Sequence, residues 1–335
     1  MLNASPVRLK QPALTVGVPV FNAERYLREA LDSVLAQTYS DLVLIVCDNC
    51  STDQTQEICQ EYAGRDSRVR YYRNDHNLGA SKNFNLAFQL SSTPYFKWSP
   101  YDDKLEPEFL SRCIEVMERD PSTVLCYTKA RIIDENGEFE VDYDPGPDTS
   151  SPKPEERFGN LLLHPEYAIQ QMGVIRSDAL HRTALYGSFP SSDEVLLAEL
   201  SLLGTFREID DRLYLYRRHR EQSTKQPKQR DRVLFVDTSL EGKTVLPTWR
   251  YFWACGRAAN KGAIGAAARI RCNIAVLRWA ARPDHLRALI KDVFLATGKY
   301  FSRARSWFRR AGQESMGGAQ VGRSSLRRGI QTHGR

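Results

Sequence analysis

The stretch LTVGVPVFNAERYLREALDSVLAQ, residues 14–37, decides the fold. Its first seven residues form an apolar, valine-rich run that is typical of a buried strand. Apolar side chains then recur every three or four residues, at Tyr26, Leu27, Ala30, Leu31, Val34 and Leu35. This period predicts an amphipathic helix directly after the strand. A buried strand followed by a helix is the repeating unit of a parallel α/β sheet.

The same alternation repeats over the next sixty residues. Strands are predicted at LVLIVC (42–47), RVRYYR (68–73) and YFKW (95–98), and helices at TDQTQEICQEYAG (52–64) and ASKNFNLAFQL (80–90). We therefore predict the α/β class, with a mostly parallel, Rossmann-like sheet and helices on both faces. Ligands of such sheets bind beyond the carboxyl ends of the strands.

Composition narrows the class of protein. The chain has 335 residues, 41% hydrophobic content and a net charge of +6, which fits a globular protein with a sizeable core. Residues 299–335 carry nine basic side chains and one acidic one, whereas residues 1–298 carry 38 basic and 40 acidic ones. A nearly neutral main body lacks the basic footprint of a nucleic-acid-binding protein, so no nucleic-acid partner is expected.

Cysteine use and the N-terminal residues indicate the compartment. The seven cysteines are an odd, scattered set, which favours reduced thiols, and the Cys47–Cys50 pair lacks the further ligands of a zinc site. No run of about 18 apolar residues predicts a spanning helix, and residues 1–20 lack the pattern of a signal peptide. We therefore expect a cytoplasmic protein.

Polar residues follow three of the predicted strands. Asn22 comes after the first strand, Asp48 and Asn49 end the second, and Asp102 and Asp103 follow the fourth. A dinucleotide site would need GxGxxG after the first strand, and a P-loop would need a Walker sequence. Neither motif is present in the sequence.

Four motifs in order carry a resemblance to a known family. They are VGVPVFNAERYLREALDSVLAQTY, VCDNCSTDQT, NLGASKNFNLAF leading into YFKWSPYDD, and SSDEVLLAELSLLG followed by YRRHREQST. Over residues 14–224 the chain resembles the family 2 glycosyltransferases of the A-type fold. The resemblance implies inverting transfer of a sugar from a nucleotide-diphosphate donor to a hydroxyl acceptor, either a glycan or a lipid-linked saccharide.

The resemblance implies a metal site at Asp102 and Asp103, with His219 completing the shell. Mg²⁺ or Mn²⁺ suits such oxygen ligands and neutralises the charge that develops on the leaving diphosphate. The family usually has an acid two positions before Asp102, where this chain has Pro100. A second interpretation of the two acids is capping of the helix that begins near Pro107.

The donor site implied by the resemblance has a base wall and a phosphate end. Pro19, Phe21 and Asn22 would wall the base, and Asp48 and Asn49 would offer it hydrogen bonds. Relatives commonly have Asp at the position of Asn49, so the base stays open, with a UDP-sugar as the default and GDP or dTDP as alternatives. The cations expected at the phosphates are Lys82, Arg217 and Arg218. A solvent-exposed position is the other interpretation of these cations.

Asp193 is the general base implied by the family motif. An inverting transfer needs one base beside the acceptor hydroxyl. Ser191 and Glu194 have the spacing of a capping box, which leaves Asp193 without a capping task. The other interpretation of Asp193 is an ordinary acid in the first turn of a helix.

The resemblance also organises the chain into four parts. These are an N-terminal arm (1–13), the catalytic domain (14–224), a helical region (225–312) and a basic, disordered tail (313–335). The helical stretch at 285–310 mixes aromatic, aliphatic and basic residues. It has two interpretations: a peripheral helix on an anionic membrane surface, or a helix packed on the catalytic domain. The Pro- and Gly-rich stretch at 142–160 predicts a mobile lid.

A sugar-1-phosphate nucleotidyltransferase and an inactive binding protein are the two alternatives to a glycosyltransferase. A sugar-1-phosphate nucleotidyltransferase would need a Gly-rich phosphate loop near the N-terminus, which the sequence lacks. A catalytically inactive nucleotide-sugar-binding or scaffold protein of the same fold stays open, because Pro100 and Asn49 depart from the family pattern.

Overall fold

The computed structural model describes residues 13–144, 146, 149–164, 169–222, 228–261 and 264–297. The predicted arm up to residue 12, the domain boundary at Thr224 and the tail at 313–335 lie outside the described residues. The strands are β1 (Leu14–Val20), β2 (Leu42–Asp48), β3 (Val69–Arg73), β4 (Tyr95–Trp98), β5 (Lys104–Leu105), β6 (Thr123–Ile133), β7 (Phe139–Tyr143), β8 (Val174–Arg176) and β9 (Thr205–Arg217).

Eleven helices are described alongside these strands. They are α1 (Leu27–Leu35), α2 (Thr55–Arg65), α3 (Ala80–Gln89), α4 (Phe109–Arg119), α5 (Pro154–Leu163), α6 (Ser177–His181), α7 (Ser192–Ser201), α8 (Gln229–Val236), α9 (Pro247–Lys261), α10 (Ala266–Ala280) and α11 (283–297). Short 3-10 turns lie at Ile169–Met172 and Thr238–Leu240.

One sheet runs through the catalytic part of the chain, in the order β3-β2-β1-β4-β8-β6-β9-β5, with β7 paired to β6. Strands β1 to β4 are parallel, as the sequence predicts. Beyond β4 the pairing is mixed, because β8 runs antiparallel to both β4 and β6 whereas β6 and β9 are parallel. The predicted α/β fold is confirmed, and its second half is less parallel than its first.

Helices cover both faces of the sheet. One buried cluster packs apolar residues of α1, α2 and α4 against β1 and β2, and a second packs α3, α6 and α7 against the other face. A third cluster joins α5 and α7 to α9 and α10. The predicted C-terminal helices are therefore present, and they pack on the catalytic part of the chain.

The predicted lid at 142–160 differs in the structure, since its second half belongs to α5. Pro154 occupies the start of this helix, where its missing N–H costs no hydrogen bond. The carboxylates of Glu155 and Glu156, in the first turn, stabilise the helix by interacting with its positive N-terminal end. Phe158 and Leu162 are buried in the third cluster, and this packing holds α5 on the protein.

The Cys47–Cys50 pair lies at the end of β2. Cys47 is buried within the strand, and this burial raises the pKa of its thiol to about 12. A thiol is a poor metal ligand or redox group unless it loses its proton, so the position of Cys47 favours packing as its role. All seven cysteines of the chain are free thiols in the structure.

Candidate active site

The polar strand ends meet at one edge of the sheet. Strand β1 pairs in parallel with both β2 and β4, so the carboxyl ends of the three strands lie side by side. Strand β5 follows β4 and pairs antiparallel with β9, with Lys104 opposite Leu215. This pairing places the end of β9 beside Asp102 and Asp103.

Asp102 and His219 contact each other directly. The imidazole Nε2 of His219 lies 2.9 Å from Oδ2 of Asp102. The Asp102 side chain is 18% exposed and that of His219 is 1% exposed. A carboxylate accepts, so His219 donates through its Nε2–H. The other ring nitrogen, Nδ1, is buried without a hydrogen-bond partner among the described residues.

Asp103 has a different environment from the open metal ligand that was predicted. It is buried, its Oδ1 accepts the backbone N–H of Arg217 at 2.9 Å, and its Oδ2 accepts the hydroxyl of Tyr214. Burial and the neighbouring Asp102 carboxylate raise the pKa of Asp103 to about 8. Both oxygens of Asp103 therefore hold β9 in place, and Asp102 is the acid of the pair that remains accessible.

Arg217 is also a structural residue, which corrects the prediction of a phosphate contact. Its side chain is fully buried. Its Nε donates to the backbone oxygen of Asp102 at 2.9 Å, and its Nη2 lies 2.9 Å from a carboxylate oxygen of Glu29. The guanidinium also lies over the ring of Tyr26, 4.7 Å from its centroid. Arg217 thus anchors the loop that carries Asp102.

Arg218 is the more exposed arginine of the pair. Its side chain is 39% exposed, and its Nη1 lies 3.6 Å from a carboxylate oxygen of Glu140. This distance leaves a weak ion pair. The position of Arg218 is compatible with the predicted contact to a donor phosphate.

The base wall predicted at the end of β1 contains one exposed aromatic ring. Pro19 is buried in β1 opposite Cys47, whereas the Phe21 side chain is 40% exposed. Asn22 has a positive φ of 50° and accepts the backbone N–H of Thr52 at 2.9 Å through Oδ1. Asn22 therefore holds the loop after β2 against the end of β1.

Asp48, at the end of β2, also stabilises the loop that follows this strand. Its carboxylate is fully buried. Oδ1 accepts the backbone N–H of Ser51 at 2.8 Å, and Oδ2 accepts the hydroxyl of Tyr71 at 2.8 Å together with Nη1 of Arg73. Most of the acceptor capacity of Asp48 is used within the protein, so its effect on a ligand would come through the shape of the loop.

Asn49 is buried and three of its hydrogen bonds are made internally. Its Oδ1 accepts from Nδ2 of Asn74 at 3.0 Å and from the backbone N–H of Leu78 at 2.9 Å. Its Nδ2 donates one hydrogen to Oδ1 of Asn77 at 2.9 Å. Within the described part of the chain, the second N–H of this amide is the group left for a ligand.

Lys82 forms an ion pair within the protein. Its Nζ is 2.9 Å from Oδ1 of Asp237, which follows α8, and 3.3 Å from the hydroxyl of Ser239. Burial would raise the pKa of Asp237, but Lys82 and the hydroxyls of Ser188 and Ser239 lower it to about 2. Lys82 therefore links α3 to the C-terminal region.

Asp193 lies in the first turn of α7, as predicted, next to Ser191 with its positive φ of 61°. Nε2 of Gln171 donates to Oδ2 of Asp193 at 3.1 Å, and Oε1 of Gln171 accepts the hydroxyl of Tyr186 at 2.6 Å. Burial raises the pKa of Asp193, although the hydrogen bond from Gln171 lowers it. A carboxylate with a raised pKa suits a general base.

Glu194 does not form the predicted capping box, because no side-chain cap bond is made at Ser191. Its Oε2 instead accepts the hydroxyl of Tyr251, on α9, at 2.9 Å. Burial, followed by the neighbouring Asp193 carboxylate, raises the pKa of Glu194. The contact ties the first turn of α7 to the C-terminal helices.

The side chains around Asp102 decide whether a divalent metal could bind at this site. Among the described residues, no group of three or more His, Cys, Asp or Glu side chains is arranged to hold a metal. Asp102 offers a carboxylate oxygen, and Nε2 of His219 lies 2.9 Å from it, so the two side chains could bind one ion only if Nε2 exchanged its hydrogen bond to Asp102 for the metal. Mg²⁺ in nucleotide sites takes most ligands from phosphates and water, with one or two from the protein. The pair fits a metal that arrives with its nucleotide.

Several site residues escaped sequence analysis. Gln171 and Tyr186 reach Asp193 from a 3-10 turn and a loop, and neither belongs to a motif. Tyr26 was assigned to the buried face of α1, yet its ring lies 5.0 Å from that of His219. Tyr214, whose hydroxyl donates to Asp103, lies in β9 outside the quoted motifs. No spacing rule connects residues that meet only through the fold.

Comparison with known proteins gives a family match. The model of the family described as glycosyl transferase family 2 matches residues 15–183, half of the chain. An uncharacterized glycosyltransferase of Haemophilus influenzae is 26% identical over 221 residues, 64% of this chain and 68% of that protein. Chondroitin synthase of Escherichia coli is 33% identical over 126 residues, and the chain spans only 18% of its length.

Solved structures of other proteins share the fold of this chain. TarS of S. aureus, residues 1–349 in complex with UDP-GlcNAc, superposes with a TM-score of 0.60 at 15% identity, over 83% of this chain and 79% of that one. The UDP complex of the same protein gives a TM-score of 0.52 at 17% identity, over 84% and 88% of the two chains. At this identity the likeness shows the fold.

Proposed function

Because the chain belongs to glycosyl transferase family 2, we propose that it transfers a sugar with inversion from a nucleotide-diphosphate donor to a hydroxyl group. The acceptor is a glycan or a lipid-linked saccharide. Beyond the family match, one observation carries the proposal. The Asp102–His219 contact lies at the carboxyl edge of the sheet, where ligands of open α/β sheets bind.

The donor base is bound between β1 and the loop after β2. Phe21 offers an exposed ring for stacking. Asn49 offers one amide N–H, which suits a carbonyl oxygen of the base, and Asp48 and Asn22 fix the loop. Uracil, thymine and guanine all carry such a carbonyl. A UDP-sugar is the default donor because the related TarS was solved with UDP-GlcNAc and UDP.

The diphosphate is bound at the Asp102 end of the site. Asp102 and His219 would hold Mg²⁺ or Mn²⁺, and the ion would supply neutralisation of the charge on the leaving diphosphate. Arg218, with its exposed guanidinium, contacts a phosphate oxygen. Arg217 and Asp103 act indirectly, by fixing the backbone that carries Asp102.

Asp193 acts as the general base. Its carboxylate takes the proton of the acceptor hydroxyl while the acceptor oxygen attacks C1 of the sugar. The bond between C1 and the diphosphate oxygen breaks on the opposite face, and the nucleotide diphosphate leaves with the electron pair. Gln171 keeps the carboxylate oriented and ionised through its hydrogen bond at 3.1 Å.

The proposal is tested by binding and turnover on the full chain. UDP, GDP and dTDP are titrated calorimetrically with and without Mn²⁺, and the slow hydrolysis of matching donor sugars is followed by nucleotide release. We expect one nucleotide to bind and its donor to be hydrolysed. Asp193→Asn should bind the nucleotide as the wild type does and should lose hydrolysis.

Asp178→Asn is the matched control, since Asp178 is an exposed acid in the first turn of another helix. Turnover near wild type in Asp193→Asn would exclude the base assignment. Binding without any hydrolysis in the wild type would favour the inactive nucleotide-sugar-binding protein, and no binding of any nucleotide would reject the donor site.

A further inference from the structure

Charge divides this chain sharply at the start of α9. Residues 247–335 carry 18 basic and 3 acidic side chains, whereas residues 1–246 carry 29 basic and 38 acidic ones. Of the acids in the basic part, Asp292 is buried and accepts the backbone N–H of Thr248 at 2.8 Å. Residues 247–297, which contain α9, α10 and α11, carry nine of these basic and two of these acidic side chains. These helices are therefore positive whereas residues 1–246 are negative, and such a division indicates an anionic partner for the helices.

Helix α10 has a second apolar face. Its buried face contacts the third cluster through Cys272, Ala275, Val276 and Trp279. Ile270, Ile274 and Leu277 recur at helical spacing on the opposite side, and they are 62%, 49% and 62% exposed. An ordinary surface helix is polar on that side. The outer face of α10 is thus built for contact with something apolar.

Helix α11 also exposes apolar side chains. One side packs on the protein through Leu289, whose backbone oxygen accepts the indole N–H of Trp249 at 3.1 Å. Four apolar side chains with helical spacing are left exposed, at Leu286, Ile290, Val293 and Phe294. Among the described residues, no helix is both long and apolar enough to cross a membrane.

Helix α9 exposes an aromatic side chain. Trp253 is 61% exposed and lies opposite the buried positions Cys255 and Ala258 in the helical repeat. Its ring centroid is 6.4 Å from that of Trp249, which contacts α11. We call eight of the exposed apolar residues of α9, α10 and α11 the outer surface: Trp253, Ile270, Ile274, Leu277, Leu286, Ile290, Val293 and Phe294.

We infer that the outer surface docks on an anionic lipid bilayer. Its apolar side chains would enter the headgroup boundary, and neighbouring cations such as Arg278, Arg287 and Lys291 would meet acidic headgroups. A second copy of the chain fits less well as the occupant. A symmetric dimer would place these cations against one another, whereas an anionic surface neutralises each of them.

Helix α9 contacts the segment that carries the proposed base. Tyr251 of α9 donates to Glu194, the neighbour of Asp193, and Arg250 donates to the backbone oxygen of Ser188 at 3.0 Å. A lipid-linked saccharide is the acceptor that shares the membrane with a docked enzyme, and this choice of acceptor rests on the proposed function.

Co-sedimentation of the full chain with vesicles tests the inference without donor or turnover, so an inactive protein still reports on it. The probes are phosphatidylcholine vesicles with and without phosphatidylglycerol, at low and high salt. We expect pelleting with the anionic vesicles at low salt only. The double variants Ile274→Ser with Leu277→Ser, and Ile290→Ser with Phe294→Ser, should each lower vesicle partitioning about tenfold or more.

Phe139→Ser with Val141→Ser is the matched control, because these residues of β7 are 61% and 45% exposed and lie outside the outer surface. Thermal unfolding checks that each variant folds. A second readout is the quenching of Trp253 fluorescence by brominated lipid. The part of the quenching that comes from Trp253 should be lost in Trp253→Phe. Absence of pelleting, or equal pelleting of all variants, would overturn the inference. A wild-type dimer that the double variants dissociate, without vesicle binding, would identify a second copy as the occupant instead.

Discussion

His219 and Asp102 are 117 positions apart in the sequence, and their side chains lie 2.9 Å apart in the fold. The antiparallel pairing of β5 with β9 brings the segment before β5, which carries Asp102, next to the end of β9, which precedes His219. Arg217 stabilises this arrangement by donating a hydrogen bond to the backbone oxygen of Asp102. Asp103, the other acid of the motif, is used entirely in this arrangement. Of the two acids, Asp102 is therefore the one whose carboxylate stays partly exposed for the proposed metal site.

His219→Ala should weaken nucleotide binding in the presence of Mn²⁺ by about 10- to 100-fold. The reason is the loss of one of two protein groups offered to the metal, and binding without metal should change little. Calorimetric titration with and without Mn²⁺ measures both. His181→Ala, at an exposed histidine of α6, serves as the control. Equal affinity of the wild type with and without Mn²⁺ would show that the pair binds no metal.

Lys82→Met should lower the free energy of unfolding and leave nucleotide affinity unchanged. Asp237 is buried, and it loses a charged partner at 2.9 Å in this variant. Since Lys82 is 43% exposed, we expect a loss of only about 1 kcal/mol. Chemical denaturation and calorimetry measure the two quantities. Weaker nucleotide binding at unchanged stability would restore the phosphate contact predicted from the sequence.

The first half of the fold was predictable because each element is long enough to show a period. Strand β1 and helix α1 have clear patterns, whereas β5 has two residues and β8 has three. Such short strands carry no period, and their pairing depends on contacts made elsewhere in the sheet. The mixed pairing beyond β4 could not be derived from the sequence for this reason.

The site was predictable only where a motif marks it. Asp102, Asp193 and His219 belong to family motifs, but a motif does not show which side chains are already engaged inside the protein. Lys82 and Arg217 were expected to face phosphates because they are cations near the site, yet both meet acids of the protein itself. Burial in the folded protein decides which cations stay available.

Lys97 is a buried lysine of β4 that lies within the family motif ending in YFKWSPYDD, although the motif assigns it no role. Its Nζ donates to the backbone oxygen of Trp98 at 3.0 Å and to that of Met172, beside Gln171. It also lies 4.8 Å from the ring centroid of Phe109. Burial lowers the pKa of Lys97 from 10.5 to about 7. Between about pH 7 and pH 10.5 the unfolded chain therefore binds one more proton here than the folded protein.

Lys97→Met should remove a pH dependence of stability. Between the folded and unfolded pKa values of Lys97, the free energy of unfolding of the wild type should rise, relative to that of the variant, by about 1.4 kcal/mol per pH unit. Denaturant titrations at pH 8, 9 and 10 measure this difference. The control Lys153→Met replaces an exposed lysine and should follow the wild type. A constant difference between wild type and Lys97→Met would show that Lys97 stays charged.

Gln171 acts on the proposed base without touching the substrate, and the pH profile should reveal it. Its N–H donates to Asp193 at 3.1 Å and favours the ionised carboxylate. Gln171→Leu should therefore raise the pKa of Asp193 further and move the acidic limb of the kcat profile up by about one pH unit. Tyr186→Phe, which frees the Gln171 amide to rotate, should cause a smaller shift in the same direction. Gln170→Leu, at the neighbouring buried glutamine, is the control. A lower stability with an unmoved profile would mean that Gln171 only supports the fold.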